Sequence, residues 1–161
     1  MLKTAYISPL GPMTILGSAA GVHAVMFDGQ KHERSPQDAK AGENPAMRQM
    51  RLELDGYFAG EVRQFGAPLA PQGTPFQQRV WAALLSISFG QTSHYGALAA
   101  ILGNAQASRA VGAAVGRNPI SIVIPCHRVI GASGTLTGYA GGLDRKRALL
   151  ALERGTAIAA A

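Results

Sequence analysis

The stretch GAPLAPQG at residues 66–73, followed at once by TPFQ at 74–77, decides how the rest of the chain divides. Two prolines and two glycines without helical or strand periodicity read as a connection between folded units. Thr74-Pro75-Phe76-Gln77 then reads as a helix start: the Thr74 hydroxyl can accept from the Gln77 N–H while the Gln77 side chain reaches back, and Pro75 suits the first turn. These signals place an N-terminal domain over 1–66, a linker over 67–73 and a C-terminal domain over 74–161.

Upstream of the linker, short apolar runs alternate with turn formers at Ser8-Pro9-Leu10-Gly11-Pro12 and at Gly21, which predicts an antiparallel meander. Residues 28–43 are polar and aperiodic and read as a surface loop. Asn44-Pro45 then caps a helix in which Met47, Met50, Leu54, Tyr57 and Phe58 recur at helical spacing, ending near Gly60. Downstream, Phe76, Val80, Trp81, Leu84 and Ile87 form the apolar stripe of the first helix, with Trp81 as core. A second helix is predicted over 96–102, stopping at Gly103, and a third over 105–115. Two short helices after a longer one suggest a helix-turn-helix module. The alanine-rich tail at 156–161 should fray. The fold class is α+β, and 161 residues suffice for one good-sized core or two small ones.

Charge is distributed unevenly along this frame. Residues 1–73 hold seven Lys/Arg and seven Asp/Glu, whereas 74–161 hold eight against two, so the whole net charge of +6 lies in the second half. A basic half-chain suits either a polyanionic partner such as nucleic acid or a face tuned for solubility. No apolar run approaches the ~20 residues that a membrane helix needs, which leads us to expect a cytoplasmic protein with no membrane partner. One cysteine forms no internal disulfide and no multi-thiolate zinc site, so no metal is expected.

That cysteine follows ISIVI at 120–124, a β-branched run read as a short strand that Pro125 terminates, presenting Cys126, His127, Arg128 and Val129 at its end. A lone Cys beside a His is compatible with a buried small hydrophobe and equally with a nucleophile. A thiol of pKa about 8.5 needs a base or positive charge nearby to react at neutral pH. His127 can be that base, oriented by a carboxylate, and the basic half offers only Asp144 and Glu153.

Three blocks carry a family resemblance: RAVGAAVGRNP at 109–119, Pro125-Cys126-His127-Arg128-Val129, and TGYAGGLDRK at 137–146. Together they resemble the O6-alkylguanine-DNA alkyltransferases (methylated-DNA-protein-cysteine methyltransferases) in their stand-alone bacterial, Ogt-like form. The likeness runs almost continuously over about residues 74–155 and is looser over 1–70. It implies a ribonuclease H-like N-terminal domain, a winged-helix-like C-terminal module, and direct-reversal repair with no cofactor. The partner it implies is double-stranded DNA carrying O6-alkylguanine, with O4-alkylthymine as a further substrate, bound by a monomer that can assemble cooperatively on DNA.

By the same resemblance Cys126 is the irreversible, single-use alkyl acceptor, activated through a water by His127, which Glu153 holds. Tyr95 supports the flipped nucleotide and donates a proton toward guanine N3, so that guanine leaves neutral. Arg109 fills the gap left by the flipped base, Asn118 stands in the turn after the recognition helix, and Arg128 joins Arg109 at the DNA. Pro125, Val129, Tyr139, Ala140 and Gly141 would form the pocket with Asn118. The segment holding Ala107, Ser108, Ala110, Gly112 and Ala113 would enter the minor groove. At about 6 Å that groove is narrower than an ordinary helix of about 10–12 Å, so small residues follow from the fit, although close packing inside the protein allows them too. The glycine-rich 131–142 segment reads as a surface loop or, by its place after Cys126, as a pocket wall. Arg145, Lys146, Arg147 and Arg154 read most simply as the solvated face of a last helix. Ala140 stands where some members have serine, so any contact there is made by the main chain. A non-catalytic lesion binder without the cysteine and a cysteine hydrolase that turns over are the alternatives, both disfavoured.

Overall fold

The computed structural model describes residues 1–158. Three antiparallel strands, β1 (Leu2–Ser8), β2 (Gly11–Ser18) and β3 (Gly21–Phe27), form the meander, and a two-residue β4 (Lys40–Ala41) pairs in parallel with β1. The sheet order is β3-β2-β1-β4, so the loop over 28–43 returns to close the far edge. Helix α1 (Pro45–Phe58) starts where Asn44 accepts from the Met47 N–H at 3.0 Å, and it lays Met47, Met50, Leu54 and Tyr57 into the core.

Every residue of β3 is buried, because both faces are covered and its outer edge is occupied. Val22 exchanges backbone hydrogen bonds with the connecting segment, donating to Pro68 O at 2.8 Å and accepting from Ala70 N at 2.8 Å. Three residues on, Val25 N donates to Pro119 O and Val25 O accepts from Ser121 N, both at 2.9 Å. The 67–73 segment is thus fastened to the sheet, and the segment leading to Cys126 hangs from the same strand. One continuous core runs from Met13, Val25 and Tyr57 to Trp81, Val111, Ile122 and Cys126.

Helix α2 (Pro75–Leu84) begins with the predicted capping box, Thr74 and Gln77 each bonding the other's backbone N–H. Helices α3 (Tyr95–Ile101) and α4 (Ser108–Gly116) follow, joined through a turn at Gly103, whose φ of 83° favours glycine. Trp81 locks α2 to α4, donating from Nε1 to Ala114 O at 2.9 Å. A minimal parallel pair, β5 (Ser93–His94) with β6 (Val129–Ile130), lies beside α3, and α5 (Leu143–Glu153) closes the chain. No helix among the described residues is long and apolar enough to cross a membrane. The expected fraying of the tail concerns 156–161, of which 159–161 lie outside the described residues.

One predicted element does not form. Only Ile120 of the 120–124 run makes a strand-like bridge, to Val25, and the chain then turns, with Ile122 at φ 74°. That conformation is rare and strained for a β-branched residue. Asn118 supports it: its Oδ1 accepts from Ile120 N at 3.0 Å and its Nδ2 donates to Ile124 O at 2.7 Å, taking the groups a neighbouring strand would have used. The β-branched run signals burial here, since Ile120 and Ile122 are fully buried, rather than extension.

Candidate active site

That turn delivers Cys126–Arg128 as a single 3-10 turn in the interior. His127 is completely buried, and its Nε2 lies 2.6 Å from Glu153 Oε2 at the end of α5. Glu153 is a hub. It also accepts from Arg128 Nε at 2.7 Å, Arg128 Nη2 at 3.1 Å, Gly90 N at 3.3 Å and the hydroxyl of Tyr57 at 2.7 Å. Of the two acids open to His127, Asp144 instead pairs with Arg147 at the surface.

Electrostatics fix the protonation states. Burial alone would raise the Glu153 carboxyl, but the hydrogen bonds it accepts from His127, Arg128 and the Tyr57 hydroxyl overcome it and hold the group at about 2. Burial pushes His127 below its ordinary value despite the Glu153 contact, with Arg128 and Lys146 pushing the same way. A neutral His127 with Nε2–H donating to Glu153 keeps Nδ1 as an acceptor, and Nδ1 is buried with no hydrogen-bond partner among the described residues. Burial also raises the Cys126 thiol, an effect opposed by the Asn118 amide and by the charge of Lys146. Cys126 therefore rests as a thiol, next in sequence to a neutral imidazole with an open acceptor nitrogen.

A small recess of about 40 Å³ opens onto Cys126, lined by Tyr95, Gly112, Val115, Gly116, Gly138, Tyr139 and Ala140. Tyr95 and Thr137 share a hydrogen bond of 2.9 Å across its rim. A methyl group at Gly112 would meet only the Tyr95 ring, at 3.7 Å, which is ordinary contact. Packing within the chain therefore does not require that glycine. At Gly141 it would come within 2.7 Å of the Tyr139 ring and 2.9 Å of Phe27, so that glycine is needed for close approach. Arg109, Ala110 and Ala113 are exposed on α4, with Ala107, Ser108 and Gly112 half-buried beside them. Arg109 lies one turn before Gly112, on the recess side of the helix.

Several expected positions move. Arg128, expected at DNA, is buried: its guanidinium is taken up by Glu153 and by Ile87 O at 2.6 Å from Nη1, so it serves the interior. Asn118, Pro125, Val129 and Gly141 do not line the recess. Asn118 braces the turn, Pro125 lines a separate cavity with Phe89 and Arg128, Val129 is fully buried, and Gly141 packs behind Tyr139. Lys146, read as solvated, is fully buried and donates to Val129 O at 2.6 Å and Thr137 O at 3.2 Å. Its seven-residue spacing from Glu153 puts both on one helix face, a signal the sequence did carry. Tyr57 was read only as part of an apolar stripe, yet a buried tyrosine in place of phenylalanine implies a partner for its hydroxyl.

Fold and site together define a two-part α+β protein with one buried cysteine, flanked by a carboxylate-held histidine and by a helix of small residues. The model of the 6-O-methylguanine DNA methyltransferase DNA binding domain matches residues 75–155, and that of the ribonuclease-like domain of the same family matches 1–71. A methylated-DNA–protein-cysteine methyltransferase of Methanosarcina acetivorans is 47% identical over 153 residues, 95% of this chain and 98% of its own. One from Haemophilus influenzae is 47% identical over 94% of this chain and 85% of its own. Mycobacterium tuberculosis OGT, solved in complex with DNA, superposes with a TM-score of 0.89 at 45% identity, covering 96% of this chain and 93% of that one. The chain belongs to the 6-O-methylguanine DNA methyltransferase family.

Proposed function

We propose that the protein repairs O6-alkylguanine in duplex DNA by moving the alkyl group onto Cys126, once per molecule. The observation that carries this is Cys126 at the floor of the recess, beside a buried neutral His127 whose free Nδ1 is oriented by Glu153. His127 Nδ1 takes the thiol proton, through a water, and Sγ attacks the alkyl carbon. A carbon–sulfur bond forms as the carbon–O6 bond breaks, its electron pair passing into the guanine ring. The Tyr95 hydroxyl donates toward N3, so guanine departs neutral. The thioether has no route back, which makes the reaction stoichiometric.

The recess is far smaller than a guanine, so the base must be extruded from the helix and the rim must part to receive it. The exposed small-residue face of α4 suits the minor groove, where binding is largely insensitive to sequence, and Arg109, exposed in the first turn of that helix, would fill the gap left by the base. The residues assigned to the acceptor site all come from one chain, which favours a monomer, and we place its work in the cytoplasm. O4-alkylthymine is a second substrate to test.

Mixing the protein with a duplex carrying radiolabelled O6-methylguanine tests this reading. One label per chain should transfer, with Cys126→Ser giving none while still binding DNA. Sustained turnover beyond one equivalent would sink the mechanism and favour a hydrolase.

A further inference from the structure

Tyr139 and Ala140 form one wall of the recess, and that wall is held from behind by the N-terminal sheet. Arg145, in the first turns of α5, makes the connection. Its Nη1 donates to Gly141 O at 3.2 Å while its Nε donates to Leu10 O, in the β1–β2 turn, at 3.0 Å. The guanidinium also lies 4.4 Å over the ring of Phe27, the last residue of β3, and the same ring packs on Gly141. Lys31 N, just past β3, donates to Ala140 O at 3.3 Å. The arginine lies close against the turn, since a Cβ at Gly11 would fall 2.9 Å from Nη2.

We propose that Arg145 is a positioning residue that sets the recess wall for the incoming base, and that this is one task of the N-terminal sheet. The inference rests on reading the recess as the alkylguanine pocket. Arg145 has no carboxylate partner among the described residues, so it is not there to complete an ion pair. Two carbonyls and an aromatic face take its donors and its charge, a planar fork geometry that lysine cannot reproduce. The two carbonyls belong to the segments that must stay in register, the β1–β2 turn and the 139–142 wall. The wall is a glycine-rich loop held at Thr137 by Tyr95 and Lys146 and at Ala140 by the Lys31 N–H, and Arg145 adds the side-chain tether at Gly141, which bears on how much freedom the base meets on entry.

The test measures Cys126 alkylation by free O6-benzylguanine in the full-length protein, separating the half-saturating concentration from the limiting rate. Arg145→Met should raise the half-saturating concentration about tenfold, the scale of one lost charge-assisted hydrogen bond, with the limiting rate little changed. Arg145→Lys should fall between Arg145→Met and the wild type, and it carries the test if Arg145→Met does not fold. Iodoacetamide, which needs no guanine pocket, should alkylate Cys126 at the wild-type rate in both variants. Wild-type half-saturation in the variants overturns the proposal, and so does a parallel fall in the iodoacetamide rate, which would mean general damage to the thiol site. If Arg145→Met abolishes duplex binding in a Cys126→Ser background but leaves the free-base reaction intact where Cys126 is present, the proposal is also overturned and Arg145 is assigned to a phosphate. A wild-type protein that accepts no alkyl group from base or duplex refutes the proposed function instead.

Discussion

Replacing Tyr57 by phenylalanine removes one oxygen and leaves the ring packed between Phe58, Phe65 and Phe89. That oxygen donates to Glu153 Oε2 at 2.7 Å, in the interior, to a carboxylate that also holds His127 and Arg128. A hydrogen bond to a charged group contributes about 1.5–3 kcal/mol. Glu153 keeps its other donors, so the lower part of that range applies, about 2 kcal/mol at neutral pH. The acid limb gives a sharper test. Glu153 sits at about 2 in the folded protein. An unfolded carboxyl titrates near about 4.3, so the depressed value contributes about 3 kcal/mol, fully present above that pH and lost as pH falls toward 2. Tyr57→Phe removes one of the donors that depress it. The stability gap between wild type and variant should therefore be constant above about pH 5 and narrow as Glu153 protonates below that. Urea unfolding followed by the fluorescence of the single, buried Trp81 measures it. A gap that is absent at pH 7, or unchanged between pH about 5 and about 2.5, refutes the role given to Tyr57.

Glu153→Gln should cost more, about 3–5 kcal/mol in urea unfolding, because Arg128 is left buried without its counter-charge, and it should slow alkyl transfer by misorienting His127. Gly112→Ala meets no clash within the chain, so thermal unfolding should show a gain of up to about 1 kcal/mol while repair of duplex DNA slows; a stabilised variant repairing at the wild-type rate would remove the groove role of α4. Arg109→Ala should slow repair in duplex DNA far more than reaction with free O6-benzylguanine, and equal losses on both would remove its gap-filling role.

The parts of the fold that were legible in the sequence are those governed by local rules. Asn44-Pro45, the Thr74–Gln77 box and Gly103 each set a boundary through their own backbone, and all three helix ends form as read, within a residue or so. ISIVI failed for a physical reason: a β-branched run reports burial and extension with the same letters, and only the distant edge of β3 and the Asn118 amide decide between them. The 67–73 segment has linker composition but spends its backbone on Val22, because an unpaired edge of a buried strand takes whatever chain passes it.

The site divides along the same line. Cys126 and His127 could be named because reactive residue types are few, while the basic half narrowed the carboxylate only to Asp144 or Glu153 and the family resemblance implied Glu153. What could not be read was the direction in which Arg128, Lys146 and Arg145 point. Charge says that a side chain prefers solvent, and that default fails where buried carboxylates and carbonyls collect enough hydrogen bonds to hold a cation inside. These three cations turn inward around the reactive turn and its wall, and of the eight in the basic half only five, Arg79, Arg109, Arg117, Arg147 and Arg154, reach the surface or half-reach it without that duty. The excess positive charge that pointed toward a polyanion is thus partly structural. DNA affinity should then rest on fewer phosphate contacts than the net charge suggests, with a correspondingly shallow salt dependence of binding; a slope requiring neutralisation by all eight cations would refute this division.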